Sequence, residues 1–129
     1  MDTVVVDTDV FSFLFKRDTR GALYRKHLDG NQLCISFATV AELYRWAVQH
    51  QWGAQRIAKL KAKFKLYTLL PYDDATAWEW AKVMSVKGRP VAVGDAWIAA
   101  GALRYDIPLV THNRRHFEQV PRLKLISEA

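Results

Sequence analysis

The chain has 129 residues, half of them hydrophobic, and carries a formal net charge of +6 from 19 basic and 13 acidic residues. This length suffices for one compact domain, residues 1–129, and excludes two ordinary domains, while the hydrophobic content excludes a disordered chain. A basic balance suits a polyanionic partner such as nucleic acid, although it also serves solubility alone.

Cysteine content and apolar runs indicate the compartment. Cys34 is the only cysteine, so no internal disulfide can form, which fits a reducing cytoplasm. Met1 leads straight into a strand pattern without the features of a signal peptide. No apolar run approaches the roughly 20 residues that span a bilayer. We therefore expect a cytoplasmic protein that does not enter the membrane.

The first half of the chain alternates strand and helix patterns. The β-branched run Thr3–Val6 is typical of a strand buried on both faces of a parallel sheet. Asp7, Thr8 and Asp9 can cap the helix that follows. The elements predicted up to residue 64 are a strand at Thr3–Val6, helices at Val10–Lys16 and Thr19–Leu28, a strand at Gln32–Ser36, and helices at Thr39–His50 and Ala54–Phe64.

The second half continues the alternation. Pro71 closes a strand at Tyr67–Leu70, and Asp73 caps a helix that reaches Val86. After a loop at Lys87–Pro90, the pattern predicts a helix at Val93–Tyr105, strands at Pro108–Thr111 and Leu123–Ile126, and a polar stretch between these strands at His112–Arg115. Together the elements predict a three-layer α/β/α fold around a central, mostly parallel sheet of four to five strands.

Three acids lie where a strand pattern ends or a helix pattern begins, namely Asp7, Glu42 and Asp95. In helix-flanked parallel sheets this edge is where ligands bind. Three carboxylates that converge there would repel one another unless a cation lay between them, and an all-oxygen site suits Mg²⁺ or Mn²⁺. Such sites usually perform phosphoryl displacement, so the acids predict a metal-dependent nuclease.

Each acid also has a structural alternative. Asp7 can cap a helix, Thr39 and Glu42 have the spacing of a capping box, and Asp95 can complement a helix dipole. Two observations weigh against capping alone. The first strand is followed by both Asp7 and Asp9, where one cap would suffice, and Asp95 opens a very apolar helix that must be buried.

The order of these motifs resembles the PIN-domain ribonucleases, and within them the VapC-type toxins of bacterial and archaeal toxin–antitoxin pairs. The resemblance covers almost the whole chain. It rests on the opening strand and first acid, the second and third acidic motifs, and the closing motif, which correspond to Val4–Asp9, Ile35–Leu43, Gly94–Ala100 and Leu109–Asn113.

The resemblance implies an endoribonuclease that depends on Mg²⁺ or Mn²⁺, with a PIN-like fold, an RNA substrate, a cognate antitoxin and a homodimeric state. It makes Asp7, Glu42 and Asp95 the catalytic, metal-site carboxylates. The residues expected to support the site or touch substrate are Thr8, Asp9, Thr111, Asn113, His116, and the loop residues Lys87 and Arg89.

His116 is a departure from the pattern, because many relatives carry a fourth acid shortly after the asparagine. A histidine is a poor ligand for Mg²⁺ but acceptable to Mn²⁺. It could also contact substrate phosphate or lie on the surface without a role. The departure puts a second metal ion in doubt.

Two alternatives remain at this point. The run Val4–Val10 also resembles the opening motif of haloacid-dehalogenase-type phosphatases, in which the first aspartate is a nucleophile. The acid expected a few residues after Asp95 is missing from Trp97–Leu103, and Glu42 would have no role. The other alternative is an RNA-binding PIN module without cleavage, against which the presence of all three acids argues.

Overall fold

The computed structural model describes the whole chain, residues 1–129, as a five-stranded sheet between two layers of helices. The strands are β1 (Thr3–Val6), β2 (Gln32–Ile35), β3 (Thr68–Leu69), β4 (Leu109–Val110) and β5 (Leu125–Ile126). Every strand pair is parallel, and the order across the sheet is β3-β2-β1-β4-β5. The predicted α/β/α class and parallel sheet are confirmed.

Seven α-helices and one 3₁₀ helix connect the strands. They are α1 (Thr8–Phe15), the 3₁₀ helix (Thr19–Tyr24), α2 (Arg25–Leu28), α3 (Phe37–Gln49), α4 (Ala54–Phe64), α5 (Asp74–Met84), α6 (Val93–Arg104) and α7 (Arg114–Phe117). None of these helices combines the length and the apolar character that crossing a bilayer requires.

The central strand β1 divides the core into two halves. Val5 packs among residues of α5 and α6, whereas Val4 and Val6 pack on the other face among residues of α1, α3 and α4. Successive side chains of a strand point to opposite faces, so a strand covered on both sides must be apolar throughout. All three valines are almost fully buried. The continuous apolar run in the sequence is explained by this double cover.

The carboxyl ends of the parallel strands meet at one edge of the sheet. The residues that follow β1, β2 and β4 at this edge are Asp7, Ser36 and Thr111, and all three are buried. The Asp7 backbone N–H donates to the Val110 carbonyl at 2.9 Å, which ties the end of β1 to its neighbour β4. Polar side chains therefore cluster at the edge where such folds bind ligands.

Several predicted element bounds differ from the structure by one or two residues, and three differences near the site matter most. The helix expected from Thr39 begins at Phe37, because the Ser36 hydroxyl caps it by accepting from the Ala38 N–H at 3.0 Å. The segment expected as one α-helix from Thr19 to Leu28 is 3₁₀ as far as Tyr24. The polar stretch after β4 leads directly into the short helix α7, which the sequence pattern does not predict.

Candidate functional site

Asp7 is held rigidly where β1 passes into α1. It is the N-cap of α1, and its Oδ1 accepts from the Thr8 N–H at 2.8 Å. Its Oδ2 accepts from the Thr111 hydroxyl at 2.7 Å, across the sheet at the end of β4. The residue is only 3% exposed. Asp7 therefore does cap a helix, as the structural alternative had it, but the same carboxylate is also fixed from a second strand.

The electrostatics of Asp7 go beyond the needs of a cap. Burial raises the pKa of its carboxyl well above the ordinary value, and the neighbouring charges of Asp9 and Asp95 raise it further. The hydrogen bonds from Thr111 and Thr8 act in the opposite direction. An N-cap needs no second acid, whereas here two further carboxyls lie close enough to disfavour the ionisation of Asp7.

Asp9 joins α1 to the loop that follows β4. Its Oδ1 accepts from the Val10 N–H at 2.7 Å, and its Oδ2 accepts from the His112 N–H at 3.0 Å. Burial raises the pKa of Asp9, and these two hydrogen bonds oppose that effect. Because each carboxylate oxygen already serves a backbone amide, we assign Asp9 the support of the loop at His112.

Asp95 lies in the first turn of α6, a helix whose following residues Ala96, Ile98 and Ala99 are buried. Burial raises the pKa of its carboxyl, His116 lowers it, and Asp9 raises it. The His116 Nδ1 lies 3.2 Å from Asp95 Oδ2. The structure thus brings Asp95 to the same acidic cluster as Asp7 and Asp9, and places His116 at its outer side.

Glu42 is on the second turn of α3, and the capping alternative for it is wrong. Ser36, not Thr39, caps this helix, so Glu42 does not occupy the position of a capping-box acid. One turn before Glu42, the Thr39 hydroxyl contacts the Thr8 hydroxyl at 2.9 Å, which packs this face of α3 against the start of α1. Glu42 itself is exposed and forms no hydrogen bond or ion pair.

The donor chemistry at this edge fits a hard divalent cation. The cluster offers carboxylate oxygens with raised pKa values, and a cation would relieve both their burial and their repulsion. No group of three or more His, Cys, Asp or Glu side chains stands close enough together to hold a metal ion. Joint ligation by Asp7, Glu42 and Asp95 therefore requires side-chain movement, for which the exposed Glu42 is free.

Of the two supporting residues in the closing motif, Thr111 is buried and Asn113 is exposed. The buried Thr111 hydroxyl donates to Asp7 and also accepts from the Asn113 N–H at 3.0 Å. The Asn113 side chain is exposed and makes no capping bond to α7. Thr111 thus positions Asp7, while the Asn113 amide is available to a ligand.

The loop before α6 is tied to α7. An Arg89 guanidinium N–H donates to the Arg115 carbonyl at 2.6 Å, and the Gln119 side-chain amide donates to the Arg89 carbonyl at 3.4 Å. Lys87 is exposed and forms no ion pair. Both cations of this loop therefore lie on the accessible surface, with Arg89 fixed beside α7.

Sequence reasoning placed His112 at the sheet edge with Thr111 and Asn113 but gave its side chain no role, and it missed Tyr24 as a neighbour of the site. The Tyr24 hydroxyl lies 2.5 Å from His112 Nδ1, although the two residues are 88 positions apart. His112 belongs to the closing motif, and this could have singled it out. No local signal in the 3₁₀ helix identifies Tyr24, because its role depends on the packing of that helix under the end of β4.

Comparison with known proteins agrees with this geometry. The PIN domain family model matches residues 4–123. The chain is 29% identical to ribonuclease VapC2 of Haemophilus influenzae over 123 residues, with 93% of each chain covered. The tRNA(fMet)-specific endonuclease VapC of Shigella flexneri gives the same identity and coverage. VapBC-5 of Mycobacterium tuberculosis, a member of the VapBC family of toxin–antitoxin systems, is 27% identical, with a TM-score of 0.70 over 98% of this chain and 99% of that one.

Proposed function

The chain belongs to the PIN domain family and is an endoribonuclease of the VapC type, and we propose that it cleaves RNA phosphodiesters with Mg²⁺ or Mn²⁺ held by Asp7, Glu42 and Asp95. The observation that carries this proposal is the acidic cluster at the sheet edge. Asp9 and Asp95 raise the pKa of the buried Asp7 carboxyl, and Asp9 raises that of Asp95, which no purely structural role requires.

The residues of the site divide the work. Asp7 and Asp95 would hold the cation, and Thr111 would keep Asp7 Oδ2 oriented towards it. Bound there, the cation would supply Lewis-acid activation of the scissile phosphate. Glu42, the exposed carboxylate, would either bind the cation as well or accept the proton of the attacking water. Asn113, Lys87 and Arg89 would contact phosphate oxygens on the accessible side.

RNA is the substrate class that the relatives support. Two of them are a ribonuclease and an endonuclease specific for tRNA(fMet). The net charge of +6 favours a polyanion. We propose a single-stranded or loop segment as the cleaved element, because a strand whose bases can splay fits an open edge better than a paired helix. The cytoplasm, where such RNA is found, is the proposed location.

Cleavage of RNA in the presence of Mg²⁺ or Mn²⁺ tests the proposal. EDTA should abolish cleavage, and Asp7→Asn and Asp95→Asn should each remove it while far-UV circular dichroism shows an intact fold. Cleavage that persists in EDTA or in either variant would refute the proposal. Binding of RNA without any cleavage by the wild type would instead favour the non-cleaving module.

The phosphatase alternative meets a specific obstacle in the structure. That mechanism needs Asp9 as a free acid, but both of its oxygens accept backbone N–H groups. The family match points the same way. The phosphatase alternative would require turnover of a small phosphomonoester through a covalent phosphate on Asp7.

We propose an antitoxin segment as a second partner, and a groove beside α1 supports this. Its apolar floor encloses about 190 Å³ and includes Phe11, Leu14, Phe15 and Tyr67. An adjoining groove of about 640 Å³ shares Leu14, Phe15 and Lys63, and is bordered by Arg17, Arg56 and Lys59. We call the two together the cationic groove. It suits a peptide with apolar and acidic side chains.

A homodimer is also proposed, supported by apolar side chains that the single chain leaves exposed. Val48 is 78% exposed, Trp78 67% and Leu69 52%. Exposed aromatic and aliphatic side chains of this size are typical of contact surfaces. Sedimentation velocity should show a dimer that Trp78→Ala weakens, and a monomeric wild type at high concentration would contradict the proposal.

A further inference from the structure

His112 occupies a distinctive position beside the acidic cluster. Its backbone N–H donates to Asp9 Oδ2 at 3.0 Å, and the preceding residue, Thr111, donates to Asp7. The imidazole is half-buried and lies edge-on to the rings of Phe13, at 5.4 Å, and Tyr24, at 5.6 Å. The side chain is thus held at the rim of the proposed active site, although neither the acids nor the loop require an imidazole there.

The hydrogen bonds of Tyr24 determine which ring nitrogen of His112 carries a proton. Tyr24 is fully buried, and its oxygen accepts from the Glu128 N–H at 3.1 Å. The single hydroxyl hydrogen then has two acceptors, His112 Nδ1 at 2.5 Å and the Thr111 carbonyl at 3.4 Å. If Nδ1 carried the ring proton instead, the hydroxyl hydrogen would have only the Thr111 carbonyl at 3.4 Å, which is longer than an ordinary O–H···O hydrogen bond. In the neutral ring Nδ1 is therefore the acceptor, and the proton is on Nε2.

The Nε2–H group faces outward. It has no hydrogen-bond partner in the protein. The buried side-chain atoms without a partner are Trp80 Nε1 and Gln119 Oε1, so His112 Nε2 is not one of the buried atoms. It therefore reaches solvent next to the acidic cluster. A fixed N–H donor at this place can serve an acceptor oxygen of a bound ligand.

The adjacent surface is also suited to a polyanion. The Arg20 guanidinium lies 4.1 Å from the centroid of the Phe13 ring, which contacts His112. Arg20 is paired with Asp18 through two hydrogen bonds, which fixes its plane. A cation, an aromatic ring and a neutral donor thus follow one another along the flank of the acids.

We propose that His112 contacts the RNA, donating from Nε2–H to a phosphate oxygen next to the cleaved linkage, and that Tyr24 is the positioning residue that fixes this tautomer. This inference rests on the proposed ribonuclease function. His112 acts on substrate binding, so its loss raises KM more than it lowers kcat. Tyr24 acts only through His112, by keeping the donor on the outward nitrogen.

The tautomer is tested without any RNA. Two-bond ¹H–¹⁵N correlation spectra of the ¹⁵N-labelled protein distinguish the two neutral forms, and His112→Gln assigns the signal among the four histidines. The wild type should show the Nε2–H form, and Tyr24→Phe should show a mixture. A wild-type signal from the Nδ1–H form would overturn the positioning role.

The RNA contact is tested by fluorescence anisotropy with a short, labelled single-stranded RNA of mixed sequence, in an Asp95→Asn background that leaves the RNA intact. His112→Phe keeps the ring contacts and should weaken binding about tenfold, the usual effect of losing a hydrogen bond to a charged group. His112→Gln offers an amide N–H instead and should restore most of the affinity. Tyr24→Phe should weaken binding about twofold, because about half of the rings would present the donor.

The salt dependence separates a neutral donor from a cation. Loss of a cation–phosphate contact lowers the slope of log K against log salt by about 0.7 for single strands, whereas loss of a neutral donor leaves it unchanged. At about pH 8.5, above the range in which imidazoles generally carry a proton, we expect an unchanged slope for His112→Phe. A reduced slope would overturn the neutral-donor assignment.

His50→Phe is the matched control, because His50 is an exposed histidine at the far end of α3. It should bind like the parent protein. If the parent itself bound no RNA, the proposed function would fail and this inference with it. If the parent bound RNA and His112→Phe bound equally well, only the inference would fail.

Discussion

At Thr111, one hydroxyl group serves both a carboxylate and a backbone amide. It donates to Asp7 Oδ2 at 2.7 Å and accepts from the Asn113 N–H at 3.0 Å. Thr111→Val keeps the shape of the side chain but leaves the buried Asp7 Oδ2 without this donor and the Asn113 N–H without this acceptor, which costs about 1–3 kcal/mol. Its bond also lowers the pKa of Asp7, so its loss makes that carboxylate harder to ionise.

We predict that Thr111→Val weakens Mn²⁺ binding and reduces cleavage by about tenfold, with a lower thermal midpoint. Calorimetric titration with Mn²⁺ and initial rates of RNA cleavage measure the two effects. Thr68→Val, at an exposed threonine on the edge strand β3, is the control and should change neither. Unaltered Mn²⁺ affinity in Thr111→Val would contradict the role given to this hydroxyl.

The raised pKa of Asp7 predicts how the stability of the metal-free protein changes with pH. Its pKa is raised in the folded protein, so the folded state binds more protons than the unfolded state, and stability must fall as pH rises through the folded pKa. In EDTA, the protein should therefore be more stable near pH 5 than near pH 7. Asp18 and Glu79 have lowered pKa values and oppose this trend only under more acidic conditions.

Urea denaturation at the two pH values measures the effect. Asp7→Asn should remove the part of the difference that is due to Asp7, while Asp9 and Asp95, whose pKa values are also raised, keep theirs. Mg²⁺ should stabilise the wild type more at pH 7, where more of the carboxylate is ionised. A metal-free wild type that gains stability from pH 5 to pH 7 would contradict the prediction that ionisation of Asp7 destabilises the folded protein.

At the scale of elements, the start of α3 depends on Ser36. Its buried hydroxyl accepts from the Ala38 N–H and also pairs with the Tyr72 hydroxyl. Ser36→Ala should destabilise the protein by about 1–2 kcal/mol, since it removes both an N-cap and a buried partner. Chemical denaturation checks this, with Ser85→Ala at an exposed helix end as the control. If Ser36→Ala lost no more stability than Ser85→Ala, the capping role would belong to Thr39 and not to Ser36.

The same helix shows where sequence reasoning succeeds and where it fails. The strand Thr3–Val6 and the helix Ala54–Phe64 were predicted with their observed bounds. Continuous apolar burial leaves little choice for the strand, whereas the alternation of lysines with apolar residues near the end of the helix also matched a strand and left that end open. Ser36 was assigned to a strand, because Thr39 was an equally good local cap and the contact that buries the Ser36 hydroxyl against Tyr72 joins positions 36 residues apart. Local patterns specify elements well, but they do not specify which polar side chain a tertiary contact will select.

At the scale of the whole molecule, the chain order of strands differs from their order in the sheet, and this assembles the acidic cluster. β1 lies between β2 and β4, so Asp7 meets Thr111 across 104 positions. The acids could be selected from the sequence because each follows or opens a regular element. The Tyr24–His112 pair could not, because no periodicity connects a 3₁₀ helix with a loop 88 positions later.

The lysines on and beside α4 allow a local contact with the antitoxin to be distinguished from an effect of overall charge. Lys59 and Lys63 border the cationic groove, whereas Lys61 and Lys65 line a different cavity. We predict that Lys59→Glu with Lys63→Glu repels an acidic antitoxin segment and releases RNA cleavage from inhibition. Lys61→Glu with Lys65→Glu changes the net charge equally and should remain inhibited.

Cleavage assays with and without the purified antitoxin, together with titration of the complex, measure this difference. Both double variants should cleave RNA in the absence of antitoxin, because all four lysines lie outside the acidic cluster. Equal inhibition of the two variants would exclude the cationic groove as the docking site. Equal release would show that inhibition depends on overall charge, since only a local contact can distinguish side chains two positions apart on one helix.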